Sequence, residues 1–317
     1  MSPIVSKIMI VYLSVVMICL AILALPCYGA VIFEENFDTS PNWNMDGTKG
    51  ECTSGNCSGA PAHWNYYRQV NGFGQITARI FNQADHTTGT GKAYVIYSES
   101  DPNVNWPSES ELSKVFPQDY QELYYRVWMK TQAGWQSAAS SQFKMLRIAH
   151  YDRTGNVYEN FSAGNMAPIF FLQLGTSVYH GTDYLPSFRC DPQANNYYCP
   201  QNPYDNDYFT KFNDTILPPT AKGMYADGQW HRYDFHVKMN TQTGTTWNKD
   251  GSAEFWYDGV LKMSHHDVQW KYPGSDPAVG WNYVSIGGNA NNSFSAHGEQ
   301  WYAIDDIVVS TTPIMDK

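Results

Sequence analysis

The segment Glu122–Lys130, ELYYRVWMK, carries aromatic and cationic side chains at every second position. Alternate side chains of an extended strand share a face. The row on one face consists of Tyr124, Arg126, Trp128 and Lys130. Aromatic rings stack on the apolar faces of sugars, and Arg and Lys donate hydrogen bonds to hydroxyls or carboxylates. The row therefore predicts a carbohydrate-binding surface; the alternative is that a loop covers Trp128 and water solvates the cations.

A second group of polar candidates follows in SQFKMLRIAHYDR, residues 141–153. Neither alternating face of this stretch is purely polar or apolar, which predicts a β-bulge or a strand buried on both sides. Its candidates for a polar cluster are Lys144, Arg147, His150 and Tyr151. In FFLQLG, Gln173 is the polar exception, and it is either a sugar-binding amide or a satisfied core amide.

These residue types suit β-elimination from a uronate polymer. That reaction needs a group that neutralises the carboxylate and a base that removes the C5 proton. The candidate neutralisers are Arg126, Arg147 and Gln173, and the candidate bases are His150, Tyr151, Tyr179 and His180. A glycosidase needs two carboxyl groups at a defined separation. Glu109 and Glu111 are two residues apart, but SESEL is more typical of a loop rim.

Short strands must position these residues. Aromatic residues make up 15% of the chain and charged residues 16%, with 24 Gly and 17 Pro. This composition is typical of an all-β protein. Strand-like runs recur between turn signals, and no helical periodicity extends over about ten residues beyond the N-terminal segment. We predict a single domain over residues 31–317.

The segment Trp230–Asn240, WHRYDFHVKMN, shows the clearest alternation. The side chains predicted to face the core are Tyr233, Phe235, Val237 and Met239. Further along, the Asp258-Gly259 pair predicts a two-residue hairpin turn. The polar stretch NTQTGTTWNKDGS, residues 240–252, is predicted to be a loop.

Residues 1–30 are typical of a secretory signal peptide. Lys7 precedes 18 uncharged residues, and small residues follow at Gly29 and Ala30. Cleavage would release a secreted protein, extracellular or periplasmic, that has no membrane association. The alternative is that the segment is retained as an anchor.

The cysteines and the net charge limit the partners. After residue 30 the cysteines are Cys52, Cys57, Cys190 and Cys199, and we predict the disulfides Cys52–Cys57 and Cys190–Cys199 because each pair is close in sequence. Their spacing does not suit zinc. The net charge of -10 argues against a nucleic-acid partner. It also disfavours a polyanionic substrate, unless positive charge is concentrated in one cleft.

Several segments resemble a known fold family. DGQWHRYDFHVKMN, DGSAEFWYDGVLK, VSIGGNANN and WYAIDDIVVSTTPI are similar to the C-terminal half of concanavalin A-like lectin/glucanase jelly rolls, in particular the polysaccharide-lyase and heparin-lyase-like branch. VIFEENFDTSPNW and the two strands discussed first fit the same plan. The resemblance implies an all-β jelly-roll sandwich of two curved antiparallel sheets, with a glycan-binding concave face.

The catalytic motifs of this family limit the reactions that the sequence is expected to support. The E-x-D-x-x-E pattern of its glucanases is absent. The R-[ST]-E-L-R motif of its alginate lyases is reduced to SESELS at residues 108–113, and the Q-[IV]-H and Y-F-K-A-G motifs are absent. The leading expectation is therefore recognition of an extracellular polysaccharide. The alternatives are a polysaccharide lyase and, more weakly, a structural or adhesion protein of the cell surface.

The resemblance also implies a structural calcium ion between the first and last strands. Hard carboxylate oxygens suit Ca²⁺. The implied ligands are Glu35, Asp38 and Asp306, with Glu34 and Asp305 beside them. The alternative is that the two aspartates only form hydrogen bonds at the end of the last strand.

Overall fold

The structure is a computed structural model, and it describes residues 30–46, 51–70, 76–82, 91–98, 109–135, 142–158, 168–177, 181–189, 227–288, 290–291 and 300–315. Within these ranges, the chain forms β-strands joined by turns and loops. The strands are β1 (Val31–Glu35), β2 (Trp43–Asp46), β3 (Tyr66–Val70), β4 (Ile76–Phe81), β5 (Ala93–Ser98), β6 (Glu109–Tyr120), β7 (Glu122–Thr131), β8 (Gln142–Ala149), β9 (Ile169–Ser177), β10 (Gly181–Arg189), β11 (His231–Lys238), β12 (Gln242–Thr243), β13 (Thr246–Trp247), β14 (Gly251–Tyr257), β15 (Val260–Val268), β16 (Trp281–Gly288), β17 (Ala290–Asn291) and β18 (Gln300–Ser310).

Two antiparallel sheets contain nearly all of these strands. The larger sheet has nine strands in the order β15-β14-β11-β7-β18-β5-β4-β2, with β1 paired to β18. The smaller sheet has seven strands in the order β10-β9-β8-β16-β6-β3, with β17 paired to β8. Every strand pair in both sheets is antiparallel. The prediction of an all-β antiparallel sandwich is confirmed.

The main core is built from alternate side chains of both sheets. In β7, every second residue from Leu123 to Thr131 is buried, and the residues between them are partly exposed. In and just after β11, the four side chains predicted to face the core are all buried. The smaller sheet contributes Leu112, Leu146 and Val284 to the same cluster. Each large apolar side chain buried in this way contributes about 1.5–3 kcal/mol.

The predicted hairpin turn is present between β14 and β15. Tyr257 pairs with Val260, and Asp258 and Gly259 have φ angles of 49° and 75°. Two consecutive positive φ angles match the right-handed twist of the flanking strands. This turn places β15 at the edge of the larger sheet.

The polar stretch at residues 240–252 differs from the prediction of a loop. It contains the short hairpin β12–β13, in which Gln242 pairs with Trp247. Trp247 is buried, and the Lys271 Nζ atom lies 5.2 Å from its ring centroid. Strands of two residues are too short to produce a recognisable alternation in the sequence.

Cys52 and Cys57 form the predicted disulfide. Cys190 and Cys199 lie outside the described residues, as do residues 1–29 of the predicted signal peptide. Residues from Val31 onward form one compact unit. No stretch within the described ranges forms a helix with the length and apolar character needed to cross a membrane.

Candidate functional site

A buried polar network occupies the outer face of the smaller sheet. Its members on β6 and β16 alternate with the core residues Leu112, Val284 and Ile286, so they point away from the main core. We call this set the Glu111 network; it consists of Glu111, Ser113, Arg147, Tyr158, Tyr283 and Ser285. Each of these residues is at most 9% exposed.

The Glu111 carboxylate is the centre of this network. Its Oε1 atom accepts hydrogen bonds from Arg147 Nη1 and, at 3.1 Å, from Tyr283 Oη. Ser113 Oγ lies 2.8 Å from Tyr283 Oη and 3.0 Å from Tyr158 Oη. Burying a charge is costly unless it is paired and hydrogen-bonded, and both charges here are.

The two tyrosines of the network are held in their protonated form. Burial is the largest cause that raises the pKa of Tyr283, and the charge of Glu111 adds to it, whereas Arg147 opposes the shift. Burial and Glu111 also raise the pKa of Tyr158. At neutral pH each phenol therefore stays protonated and is able to donate a hydrogen bond.

A β-bulge in β8 brings Lys144 to the face that carries Arg147. Arg147 pairs with Phe171 and Lys144 pairs with Gln173, and the register shifts between Lys144 and Leu146. Positions 171 and 173 are two apart, so their partners occupy the same face of the sheet. Met145 and Leu146 both lie in the main core. The predicted bulge is confirmed; the side chain of Gln173 lies outside the described part of the structure.

A second polar cluster lies at the end of the same sheet, around Asp119. Asp119 Oδ2 lies 3.0 Å from His150 Nδ1, and Asp119 Oδ1 accepts from Arg153 Nη2 at 2.8 Å and from Asn282 Nδ2 at 2.9 Å. Burial opposes ionisation of Asp119, but the hydrogen bonds from His150, Asn282 and Arg153 prevail and hold its pKa well below the usual range. Asp119 thus orients the His150 ring through Nδ1, as carboxylates do for catalytic histidines.

The structure therefore separates the three predicted catalytic residues. Arg147 lies in the Glu111 network and His150 lies in the Asp119 cluster. Tyr151 is buried in a satellite apolar cluster with Ala149 and Tyr283, and its hydroxyl donates to Gly155 O at 3.1 Å. Burial raises the pKa of Tyr151 to about 12. Two other candidate bases, at positions 179 and 180, are outside the described residues.

Sequence reasoning missed Tyr283, Tyr158 and Asp119. A signal for Tyr283 existed in NYVSIGG, where polar residues alternate with the core residues Val284 and Ile286. Glu111 was considered only as a glycosidase carboxylate on a loop rim, and the structure places it inside β6. Arg68, opposite Glu111 in β3, adds a cation at 5.5 Å from the Tyr158 ring centroid.

The predicted row on β7 lies on the outer face of the larger sheet, whereas Arg147 and Lys144 lie on the smaller sheet. Tyr124 stacks on His236 with ring centroids 4.3 Å apart, and Arg126 pairs with Asp234. Trp128 is partly exposed, and Lys130 Nζ lies 5.9 Å from the Trp301 ring centroid. Tyr124 and Arg126 line a cleft of about 430 Å³. A role of this row in carbohydrate binding stays a prediction.

The residues implied as calcium ligands gather near the pairing of β1 with β18. Glu35 already accepts from Phe37 N at 2.7 Å and lies 3.2 Å from His63 Nδ1, and Asp38 accepts from Lys92 N at 2.8 Å. Among the described residues, no three acidic, His or Cys side chains are placed to hold a metal ion. The geometry as it stands does not fit calcium, and the ion stays a prediction.

Asp305, beside these residues, should make stability depend on pH. Burial raises its pKa to about 8, and the charges of Asp306, Asp38 and Glu35 add to the shift. A raised folded-state pKa contributes stability that is complete below about pH 4 and is lost as the pH rises towards 8. We expect Asp305→Asn to raise the melting temperature relative to the parent by an increment that grows from pH 4 to pH 8.

The control for this measurement is Asp267→Asn, because Asp267 is exposed. The difference in melting temperature between Asp267→Asn and the parent should be the same from pH 4 to pH 8. A bound calcium ion would instead favour the ionised carboxylate. Stabilisation by added Ca²⁺ that Asp305→Asn abolishes would therefore contradict the expected pH trend and support the calcium prediction.

Comparison with known proteins identifies the fold. No protein-family model matches the chain, and no curated protein matches it. Among solved structures, an endo-β-1,4-glucuronan lyase from the fungus Trichoderma reesei aligns with a TM-score of 0.53 and 14% identity, covering 89% of this chain and 96% of that one. The alginate lyase vAL-1 from Chlorella virus aligns with a TM-score of 0.53 and 10% identity, covering 89% and 100%. The fold is a jelly roll of the concanavalin A-like type.

A glucanase shares this jelly roll as well. The endo-1,3-β-glucanase from Streptomyces sioyaensis aligns with a TM-score of 0.50 and 14% identity, covering 92% of this chain and 99% of that one. One jelly roll thus carries both elimination and hydrolysis in different proteins. The reaction of this chain has to be argued from its own side chains.

Proposed function

We propose that this protein binds an extracellular uronate polysaccharide on the outer face of the smaller sheet and cleaves it by β-elimination. The single observation that carries the proposal is the contact of the Arg147 guanidinium and the Tyr283 phenol with one oxygen of Glu111. A carboxylate-binding cation and a proton donor thereby stand side by side. The similarity to jelly rolls that include a glucuronan lyase and an alginate lyase supports the same class of substrate.

The proposed reaction divides the roles among groups on this sheet. Arg147 and Lys144 neutralise the uronate carboxylate, which acidifies the C5 proton. A general base accepts that proton; the predicted bases Tyr179 and His180, which lie outside the described residues, stay the candidates for this role. The C5–H electron pair forms the C4–C5 double bond as the C4–O bond breaks, and Tyr283 donates its proton to the leaving oxygen. The products are an unsaturated sugar end and a new hydroxyl end.

The concentration of cations on this face supports an acidic substrate despite the chain's negative net charge. Lys144 and Arg147 lie on β8, and Arg68 lies on β3 of the same sheet, with β16 and β6 between the two strands. A local cluster of cations attracts a polyanion even when the whole molecule repels it weakly. The reason is that salt screens interactions between charges more than about 8–10 Å apart.

One observation favours a second candidate, recognition without cleavage. The charge of Arg147 is already compensated by Glu111, with both side chains 3% exposed. A compensated guanidinium is suited to hydrogen bonding with sugar hydroxyls as well as with a carboxylate. Action outside the cytoplasm fits both candidates, and the Cys52–Cys57 disulfide supports it.

The deciding experiment follows the ultraviolet absorbance of unsaturated sugar ends. The chain from Val31 onward would be incubated with glucuronan, alginate, pectate and heparin-type polymers, and with neutral glucans as controls. We expect absorbance to rise with at least one uronate polymer and with none of the neutral ones. Binding to a uronate polymer without new absorbance would overturn the lyase proposal and support recognition.

A further inference from the structure

The cleft on the outer face of the larger sheet lies on the opposite sheet from the Glu111 network and is independent of the function proposed above. Its volume is about 430 Å³, within the range of small-molecule sites. Three adjacent strands, β7, β11 and β14, form its floor, and the segment after β18 borders it. The side chains used in the argument below are Tyr124, Arg126, Arg232, Asp234, Glu254 and Trp256.

The central row of the floor crosses all three strands. Arg126, Asp234 and Trp256 occupy opposed positions on neighbouring strands. Asp234 Oδ1 accepts from Arg126 Nε, and Asp234 Oδ2 lies 2.8 Å from Arg232 Nε. The aspartate holds the two guanidinium groups in fixed positions beside the Trp256 indole.

The charges of the cleft balance. Arg126 and Arg232 carry two positive charges, and Asp234 and Glu254 carry two negative charges. Such a lining offers both donors and acceptors, with no net charge to attract a uronate polymer. The electrostatics therefore favour a neutral ligand that is rich in hydroxyl groups.

A second row makes this floor rigid. Tyr124 stacks on His236, and the His236 ring lies between two carboxylates, with Nδ1 2.6 Å from Glu254 Oε2 and Nε2 2.7 Å from Glu122 Oε1. Burial opposes ionisation of Glu254, but hydrogen bonds from His236 and Ser264 prevail and lower its pKa. Side chains fixed in advance lose little entropy when a ligand binds.

We infer that this cleft binds a neutral saccharide. One sugar ring stacks on the partly exposed indole of Trp256, and neighbouring hydroxyls bond to Arg232, Asp234 and Glu254. In one domain with a lyase or recognition face on the other sheet, such a site would hold the protein on a cell-wall or matrix polymer that contains both neutral and acidic sugars. The site is a binding site with no step of bond cleavage.

The test is to titrate the chain from Val31 onward with neutral tetrasaccharides of the gluco, manno and xylo series. Calorimetry measures the heat of binding during each titration. We expect saturable binding to at least one series and at least tenfold weaker binding by Trp256→Ala. Trp301→Ala is the matched control, because Trp301 lies in the same sheet and outside this lining. Its affinity should equal that of the parent. Asp234→Asn, which keeps the shape of the side chain, gives a second variant in case the tryptophan replacement fails to fold.

Three results would overturn this inference: no binding of any neutral series, equal affinity in the parent and in both cleft variants, or binding restricted to uronate oligosaccharides. The outcome is separable from that of the proposed lyase. Trp256→Ala should leave the formation of unsaturated ends from short uronate oligosaccharides unchanged. Conversely, absence of lyase activity would not alter binding of the neutral sugars.

Discussion

Glu111→Ala is expected to lower the free energy of unfolding by about 3–5 kcal/mol, because it leaves the guanidinium of Arg147 buried without its counterion. Both side chains of the pair are 3% exposed. The same replacement removes the acceptor of the Tyr283 hydroxyl. The measurement is equilibrium unfolding in urea, with the midpoint and the slope both recorded.

The chain supplies a matched control for this prediction. Glu51 lies 3.6 Å from Arg68 Nε, with the side chains 38% and 25% exposed respectively. Glu51→Ala should cost about 0–1 kcal/mol, the usual range for a solvated pair. The double variant Glu111→Leu with Arg147→Met should recover much of the loss, because no unpaired charge remains. If Glu111→Ala lowered the free energy of unfolding no more than Glu51→Ala does, the conclusion that Glu111 pairs with Arg147 in a buried network would be wrong.

Tyr283→Phe is expected to reduce the rate of polysaccharide cleavage at least about 100-fold, the usual contribution of a positioned general acid. The replacement removes one hydroxyl and keeps the ring, so the fold should be retained at a cost of about 1–2 kcal/mol. The hydroxyl that is lost lies 3.1 Å from Glu111 Oε1 and 2.8 Å from Ser113 Oγ. Initial rates of absorbance increase would be compared at equal protein concentration.

Tyr233→Phe is the control for this rate measurement. Tyr233 is as completely buried as Tyr283 but lies in β11 of the larger sheet. Its variant should cleave at the parental rate. If Tyr283→Phe retained full activity while its melting temperature changed, Tyr283 would be a structural residue and the proposed proton donor would be wrong.

The features that sequence alone predicted are local ones. Side chains alternate along β7 and β11 because one face of each strand packs in the core. The Asp258-Gly259 turn follows from positive φ angles that few other residue pairs accept. The bulge near Lys144 followed from the failure of simple alternation in β8.

The candidate site depended on pairing between distant segments, which alternation does not encode. β7 and β8 are nearby in sequence, and both carry cationic residues on one face. β7 pairs with β11 and β18, whereas β8 pairs with β9 and β16. Arg126 and Arg147 are therefore on different sheets. The partner of Arg147 is Glu111, 36 residues earlier in the chain.

The position of β18 has a consequence for biogenesis. This strand lies inside the larger sheet, hydrogen-bonded to β7 on one side and to β5 on the other, with β1 also paired to it. Until residues 300–310 have been synthesised, β5 and β7 lack the strand that lies between them. Each then has an edge with unpaired backbone N–H and C=O groups. The larger sheet therefore cannot close between β5 and β7 until residues 300–310 are in place, which makes its assembly depend on contacts between segments far apart in the sequence.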